Sequence, residues 1–560
     1  MPVSVTLTRP LPSGGARAKV NALYQRRALA ALGATIAALV TTRFVLLWRF
    51  PPFLDESLYA NWAMQIHQSF GARWVALVNG KLPLLSWLGA ALMAVGIEPL
   101  TAVRIVSIGA GIASAVLAGL IAAEIGGRPA AIAATAAYVI LPLALVHDVL
   151  GLMEPLLAAL FAASLYLQMR LARRPSLVTG AVLGLLFAAA LLTKETGYLP
   201  LVLLPFSLLL FDWRAPERLR RLGLWAGAAG IACVLGALAE LVLASSGEMS
   251  AYRTAQKSFG TFRSLHSGLA HPLRWAGQVW PGYRPEVIGY LTWPLALVAI
   301  AGTAVSLWRR NRPALLCLLW VVAVSLVDLL FLDNAFVRYV VPAGPFVAVL
   351  VGAGAAEIVG VAGRLAPNVR VAALGAAVVL TATAAFPIRF DLSVLANPST
   401  AAYPGVSGQE YETGWSAGTG VEALASTLRR LGRLHPAVVT WYGHRPIALM
   451  LKLRHDHALQ FDDSVGPASD AAAHSDYVVT NDLPLPPGGF GLGTLRRVQT
   501  FPRPRDGVAL GLYRRGVAWR GRFYTTADAL RRGLGLDDRH FDAFIVRHPR
   551  MRAWYIAGAS

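Results

Sequence analysis

The chain has 560 residues, of which 56% are hydrophobic and only 14% charged, and its formal net charge is +21. A water-soluble chain of this length would carry about a quarter charged residues, so soluble enzymes, collagen-like chains and disordered regulators are excluded. The basic excess falls in stretches between apolar runs, where it orients a membrane protein, so it is read as a topology signal and no nucleic-acid partner is expected.

Residues 1–27 carry Arg9, Arg17, Lys19, Arg26 and Arg27 ahead of the apolar run Ala28–Trp48. That run is longer than a signal-peptide core and reads as an uncleaved first span with a cytoplasmic N-terminus. Further apolar runs follow at Ala102–Ala123, Ala130–Val146, Gly151–Met169, Leu177–Leu192, Tyr198–Phe211, Leu222–Ala244, Val287–Leu307, Ala314–Leu332, Phe336–Ile358 and Val371–Phe386, which makes about eleven spans. Cys233 and Cys317 lie inside such runs, where a free thiol behaves as a small hydrophobe, so neither a disulfide framework nor a zinc site is implied.

One more run, Leu82–Ile97, contains Pro83 and would cross only about 24 Å at roughly 1.5 Å per residue, short of a roughly 30 Å hydrocarbon core. If it does not cross, the loops Arg170–Arg174, Arg214–Arg221, Arg309–Arg312 and Arg364–Arg370 share the side of the basic N-terminus, as the positive-inside rule requires. If it crosses, all four move outside. Leu82–Ile97 is therefore read as an interfacial or re-entrant helix. The loops around Asp55, Asp148, Lys194, Ser245–Glu286 and Asp333 then meet on the outer face, together with everything after Phe386.

The predicted fold is an α-helical polytopic membrane module over 28–388, with external loops 49–101 and 245–286, and a small external α/β C-terminal domain over 389–516. In that domain Val421–Leu431 has helical spacing, Ala437–Tyr442 and Tyr477–Thr480 read as buried strands, and Val508–Tyr513 as half of a hairpin. Residues 517–560 read as an Arg-rich helical tail suited to anionic headgroups. Arginine dominates the basic residues alongside abundant Ala, Gly and Pro, which points to a GC-rich prokaryotic genome and to a bacterial inner membrane.

Polar residues in the outer layer are the candidates for chemistry, each with a plainer reading beside it. Asp55 and Glu56 stand between the first span and an amphipathic segment, either as solvated loop charges or as carboxylates made more basic by partial desolvation. Lys81, at the mouth of the interfacial helix, is a snorkelling anchor or a phosphate ligand. His147-Asp148 and Glu154-Pro155 flank the turn into the fourth span as cap residues or as part of a site. Lys194-Glu195 and Arg338-Tyr339 place two more cations in the same layer, facing a lipid headgroup or a phosphate.

These residues, in this order, resemble the C-type glycosyltransferases that use polyprenyl-phosphate sugars, specifically glycosyltransferase family 39, the protein O-mannosyltransferase and lipid A aminoarabinose transferase group. The resemblance covers roughly residues 40 to 390. It rests on Asp55-Glu56, on Gly80-Lys81-Leu82-Pro83-Leu84-Leu85-Ser86-Trp87 beside the family's Gly-Lys-x-Pro-Leu-x-x-Trp, and on Arg104. Glu154-Pro155-Leu156-Leu157 is similar to its Asp-Pro-Leu-Leu turn, Leu192-Thr193-Lys194 to its Leu-x-Lys element, and Arg338-Tyr339 to its Arg-Tyr. Gly414-Trp415-Ser416-Ala417-Gly418 resembles a segment seen after the spans in bacterial members. Glutamate stands where the second-loop aspartate is usual, so either Asp148 or Glu154 inherits that role.

The resemblance implies a GT-C fold and an enzyme that moves a sugar from a polyprenyl-phosphate donor to a hydroxyl of a protein, lipid or cell-envelope glycan on the outer face, with inversion. Asp55, with Glu56 beside it, would take the acceptor proton. Lys81, Lys194 and Arg338 would stabilise the departing phosphate. His147, Tyr339 and Glu195 would be substrate contacts, and Asp148 or Glu154 would orient the acceptor or help hold a divalent ion, Mg or Mn. The rival readings are a transporter or flippase of polyprenyl-linked sugars, which would bind near the midplane between repeated halves, and a structural docking protein.

Overall fold

The computed structural model describes residues 14–259, 263–332, 336–365, 368–442, 446–461, 475–481, 494–505, 507 and 509–557. The expectation about the loop at Asp333 lies outside these residues. Among them, seven helices are long and apolar enough to cross a membrane, or eight if one bent pair counts as a single span. They are joined by three shorter apolar helical stretches, Leu84–Met93, Leu177–Thr193 and Glu195–Leu210. The molecule is an integral membrane protein, and the predicted spans correspond to these elements with three revisions.

Ala102–Ala123 and Ala130–Val146 fall on the two legs of Pro99–Val139, which breaks at Gly126 and Gly127, in the gap between the two predicted runs. Gly127 has φ +68°, a left-handed value that a side chain would resist. The second leg ends at Val139, and a separate short helix, Pro142–Asp148, continues the run that was expected to be straight to Val146. Val287–Leu307 is not one span either. Pro272–Leu291 and Trp293–Trp308 meet at 88°, because Thr292 sits at φ 55° and Pro294 at the start of the second helix has no N–H to continue the first. The last helix, expected to end at Phe386, runs from Val369 to Ala396 despite Pro387.

The interfacial helix is shorter than predicted, Leu84–Met93. Ten residues rise about 15 Å, half of a bilayer core. Its two flanks stay at one end of the bundle, since Ser86 Oγ donates to Tyr59 O (3.3 Å) and Glu98 pairs with Arg454 of the C-terminal domain (3.3 Å). The basic loops gather at the other end. Arg173 pairs with Glu124 beside the Gly126–Gly127 turn, and Arg221 donates to Arg173 O. Asn311 Nδ2 donates to Ile125 O (3.1 Å), and Arg309 pairs with Glu357. Three of the four basic loops named from the sequence thus share one end of the bundle.

Beyond Ala396 the chain forms a six-stranded mixed sheet in the order β2-β1-β3-β5-β4, with β6 paired to β5. The strands are β1 (Ala437–Tyr442), β2 (Leu459–Phe461), β3 (Tyr477–Thr480), β4 (Thr494–Phe501), β5 (Leu510–Trp519) and β6 (Arg522–Tyr524). The β1–β2 and β1–β3 pairs are parallel and the remainder antiparallel. Val421–Gly432 lays Leu424, Ala425 and Leu428 on this sheet at helical spacing. Strand β5 runs through position 516, where the sequence reading divided domain from tail. The tail is helical, but Leu530, Phe541, Ile545, Met551 and Trp554 spend its apolar face on Val517 of β5, so it folds as part of the domain.

Candidate active site

Asp55 and Glu56 occupy the first turn of Leu54–Gln68, where free backbone N–H groups favour carboxylates. They serve different ends. Glu56 is fully buried and receives Arg104 Nε (2.8 Å) and Nη2 (2.5 Å), the Phe53 N–H (2.8 Å) and the Gly151 N–H (2.8 Å). Arg104 spends its other donors on the carbonyls of Leu47 (2.6 Å), Phe50 (3.1 Å) and Pro51 (3.2 Å). The expectation of a second catalytic carboxylate at Glu56 is therefore corrected: both oxygens are committed, and the pair pins the first loop to the Pro99–Val139 helix and the turn before Met153.

Asp55 keeps partial exposure and faces Arg338, with Oδ2 3.1 Å from Nη2. Arg338 belongs to the tight turn Val337–Ala343, which Pro342 and the onset of Gly344–Leu365 hold in place. On the other edge of the same guanidinium, Nη1 lies 3.3 Å from Oε1 of Glu410. Glu410 comes from Gln409–Thr413, beyond the last span, and was not foreseen. Burial pushes its carboxyl up to about 7, against the opposing pull of Arg338. An acidic Gln409-Glu410-Tyr411-Glu412 stretch just before the Gly414–Gly418 segment was the available signal.

Glu154, in the first turn of Met153–Arg173, accepts from Lys194 Nζ at 2.6 Å. Lys194 stands at the C-terminal end of Leu177–Thr193, and its ammonium lies 3.8 Å from the Tyr339 ring centroid, a cation–π contact. Arg338 lies 5.6 Å from the same ring, with Asp55 on its far side, and the charges of Lys81 and Glu154 also act on the Tyr339 hydroxyl. Lys81 makes no ion pair among the described residues.

The remaining candidates fall elsewhere. Asp148 is fully buried between Arg43 (Nε and Nη2, both 3.3 Å) and the Tyr138 hydroxyl (3.1 Å), so of the two acidic alternatives only Glu154 joins the cluster. Arg43 was unforeseen because it stands inside an apolar run. His147 uses Nδ1 on Leu143 O (2.7 Å) and Nε2 on the Tyr411 hydroxyl (3.2 Å), acting as a prop under the post-span segment. Glu195 accepts from the Tyr252 hydroxyl and from Gln256 Nε2 (2.6 Å), while that amide also donates to Gly80 O (2.7 Å). It tethers Met249–Phe259 next to Lys81 and is not itself in the cluster.

No group of three or more His, Cys, Asp or Glu is placed to hold a metal among the described residues. Asp148 and Glu154 are each committed to a cation of the protein, which removes the second-loop carboxylates as ligands.

Residues 81–239 match the family model described as dolichyl-phosphate-mannose-protein mannosyltransferase. The fold is similar to that of ArnT from Cupriavidus metallidurans in the apo state, at 18% identity and TM-score 0.58, covering 87% of this chain and 98% of that one. The same protein bound to undecaprenyl phosphate gives 19% identity and TM-score 0.55, covering 86% and 97%. The archaeal oligosaccharyltransferase AglB from Archaeoglobus fulgidus, in complex with an inhibitory peptide and a dolichol-phosphate, gives 13% identity and TM-score 0.50, covering 82% and 69%. No curated protein matches. The fold is thus the GT-C fold of these membrane glycosyltransferases, as the resemblance implied.

Proposed function

We propose that this chain transfers a sugar from a polyprenyl-phosphate-linked donor to a hydroxyl of a protein, lipid or cell-envelope glycan acceptor on the outer face of the membrane. The observation that carries this reading is one carboxylate, Asp55, grouped with the cations Lys81, Lys194 and Arg338 around Tyr339, each delivered by a separate segment. The match over residues 81–239 and the undecaprenyl-phosphate complex of the ArnT neighbour support the donor class. A flippase would need its polar site exposed alternately from the midplane, whereas this cluster sits at the ends of helices.

In the transfer, the acceptor hydroxyl attacks the anomeric carbon as Asp55 takes its proton, and the bond to phosphate oxygen breaks on the opposite face. The electron pair leaves with the polyprenyl phosphate, where Lys81, Lys194 and Arg338 meet the developing charge. The Arg338 contact keeps Asp55 oriented before the acceptor arrives. Purified protein given a radiolabelled polyprenyl-phosphate sugar and an envelope extract is expected to move label into the extract. Label that stays wholly on the prenyl carrier for every donor sugar tried would end this reading.

Three further outcomes follow. Lys81→Arg and Lys194→Arg are expected to raise the donor KM, because a planar fork and a point ammonium place their donors differently. Alanine changes at Lys81, Lys194 and Arg338 should combine non-additively, since they act on one phosphate. Full activity in both conservative swaps would show independent surface anchors. For sidedness, Leu434→Cys is expected to react with an impermeant maleimide in intact cells and Arg218→Cys only after lysis. The reverse pattern would place the cluster on the cytoplasmic side.

A further inference from the structure

The segment between the last helix and the C-terminal domain crosses the mouth of the cluster. Glu286, fully buried in Pro272–Leu291, accepts the Ser407 N–H (2.8 Å) and hydroxyl (2.9 Å) with Oε1 and the Val337 N–H (3.1 Å) with Oε2. One carboxylate thus fixes the residue before Arg338 and a residue three before Glu410. Gly405, at φ +58°, makes this approach possible, because a Cβ there would stand 2.3 Å from Glu286 Cγ. Tyr411 is anchored too, its ring 5.1 Å from that of Phe53 and its hydroxyl on His147. Glu410 is consequently delivered to Arg338 by a fixed segment.

Arg338 is divided between two carboxylates. Nη2 faces Asp55, while Nη1, which faces Glu410 at 3.3 Å, has no well-directed hydrogen bond, and Glu410 Oε2 has no partner at all among the described residues. A donor phosphate that approaches Arg338 finds the Asp55 edge occupied by the group that must remain as the base. The Nη1 edge is the one left to take it, and Glu410 stands there.

We propose that Glu410 is a positioning residue that competes with the donor phosphate for the Nη1 edge of Arg338 and so sets donor affinity. This rests on the donor class proposed above. With Glu410 ionised, the edge is occupied and a second negative charge faces the phosphate; with Glu410 neutral, the edge is open. The charged groups around it are Arg338 of the Val337–Ala343 turn, Asp55 of Leu54–Gln68 and, at longer range, Glu286 of Pro272–Leu291 and Glu154 of Met153–Arg173. A carboxyl pushed up to about 7 changes charge inside the accessible pH range.

The probe is an undecaprenyl methyl phosphodiester, whose single charge is constant across the range, titrated into the purified full chain in detergent between pH 6 and 8.5. Affinity of the native protein is expected to fall about tenfold as pH rises, since binding then requires a proton on Glu410. In Glu410→Gln, which mimics the neutral acid, affinity should hold the native low-pH value throughout. A native affinity that is flat with pH, or a Gln variant that keeps the native dependence, overturns the role of Glu410. Because the native titration is informative alone, poor folding of the variant does not rescue the idea. No binding at any pH would instead remove the donor class itself.

Discussion

Asp55→Asn is expected to slow glycosyl transfer by about 10²- to 10⁴-fold, the range for losing a general base. The amide keeps the size of the carboxyl and still accepts a hydrogen bond from Arg338, now without the ion pair of 3.1 Å. Donor binding should therefore persist, and it should tighten somewhat, because Arg338 loses one of its two anionic partners to neutrality. Parallel measurement of single-turnover rate and of prenyl phosphodiester affinity separates the two effects. If the rate stays within a few-fold of native, Asp55 is a positioning group. The base would then be sought at Glu154 or Glu410, since Glu56 has no free oxygen to offer.

Arg104→Met should cost stability. Glu56 would be left ionised, fully buried and held only by the N–H groups of Phe53 and Gly151. Removing one partner of such a pair costs about 3–5 kcal/mol. Three backbone carbonyls near the end of the first span would lose their donor as well. Glu56→Gln combined with Arg104→Met should recover part of the loss, because no charge is then stranded. The expected reading is a lower thermal midpoint in detergent for Arg104→Met, partly restored in the double variant. A native midpoint in Arg104→Met would show that the pair is not structural.

Those two results would distinguish adjacent residues that the sequence alone could not. Asp55-Glu56 was read as one acidic motif, and the 100° step between successive helical positions is what sends one side chain to Arg338 and the other to Arg104. The spans were legible because about twenty apolar residues in a row have few other uses. Their interruptions were less so. The Gly126-Gly127-Arg128-Pro129 turn shows as the gap between Ala102–Ala123 and Ala130–Val146, whereas the right angle at Thr292 sits inside continuous apolar sequence, where hydropathy carries no information about direction. In the C-terminal domain, β1 and β3 were found at their observed bounds, since β-branched runs flanked by turn residues mark strands locally. Arg43 with Asp148 and Glu410 with Arg338 are pairs separated by 105 and by 72 positions. Nothing local to either residue names its partner.

The Leu54 N–H, at the head of the helix that carries Asp55, donates to the carbonyl of Ser416 at 3.0 Å, and Gly418 lies against Pro52 so closely that a Cβ would stand 1.9 Å from its carbonyl oxygen. The chain therefore reaches back from its last third to close a loop made in its first tenth. During synthesis every membrane helix can be inserted while the first loop still waits for residues 407–418. A chain terminated after Ala396 would carry all of its described membrane helices and a first loop without the segment that closes it. Closure of the loop that carries Asp55 would then come only after the last membrane helix has been made.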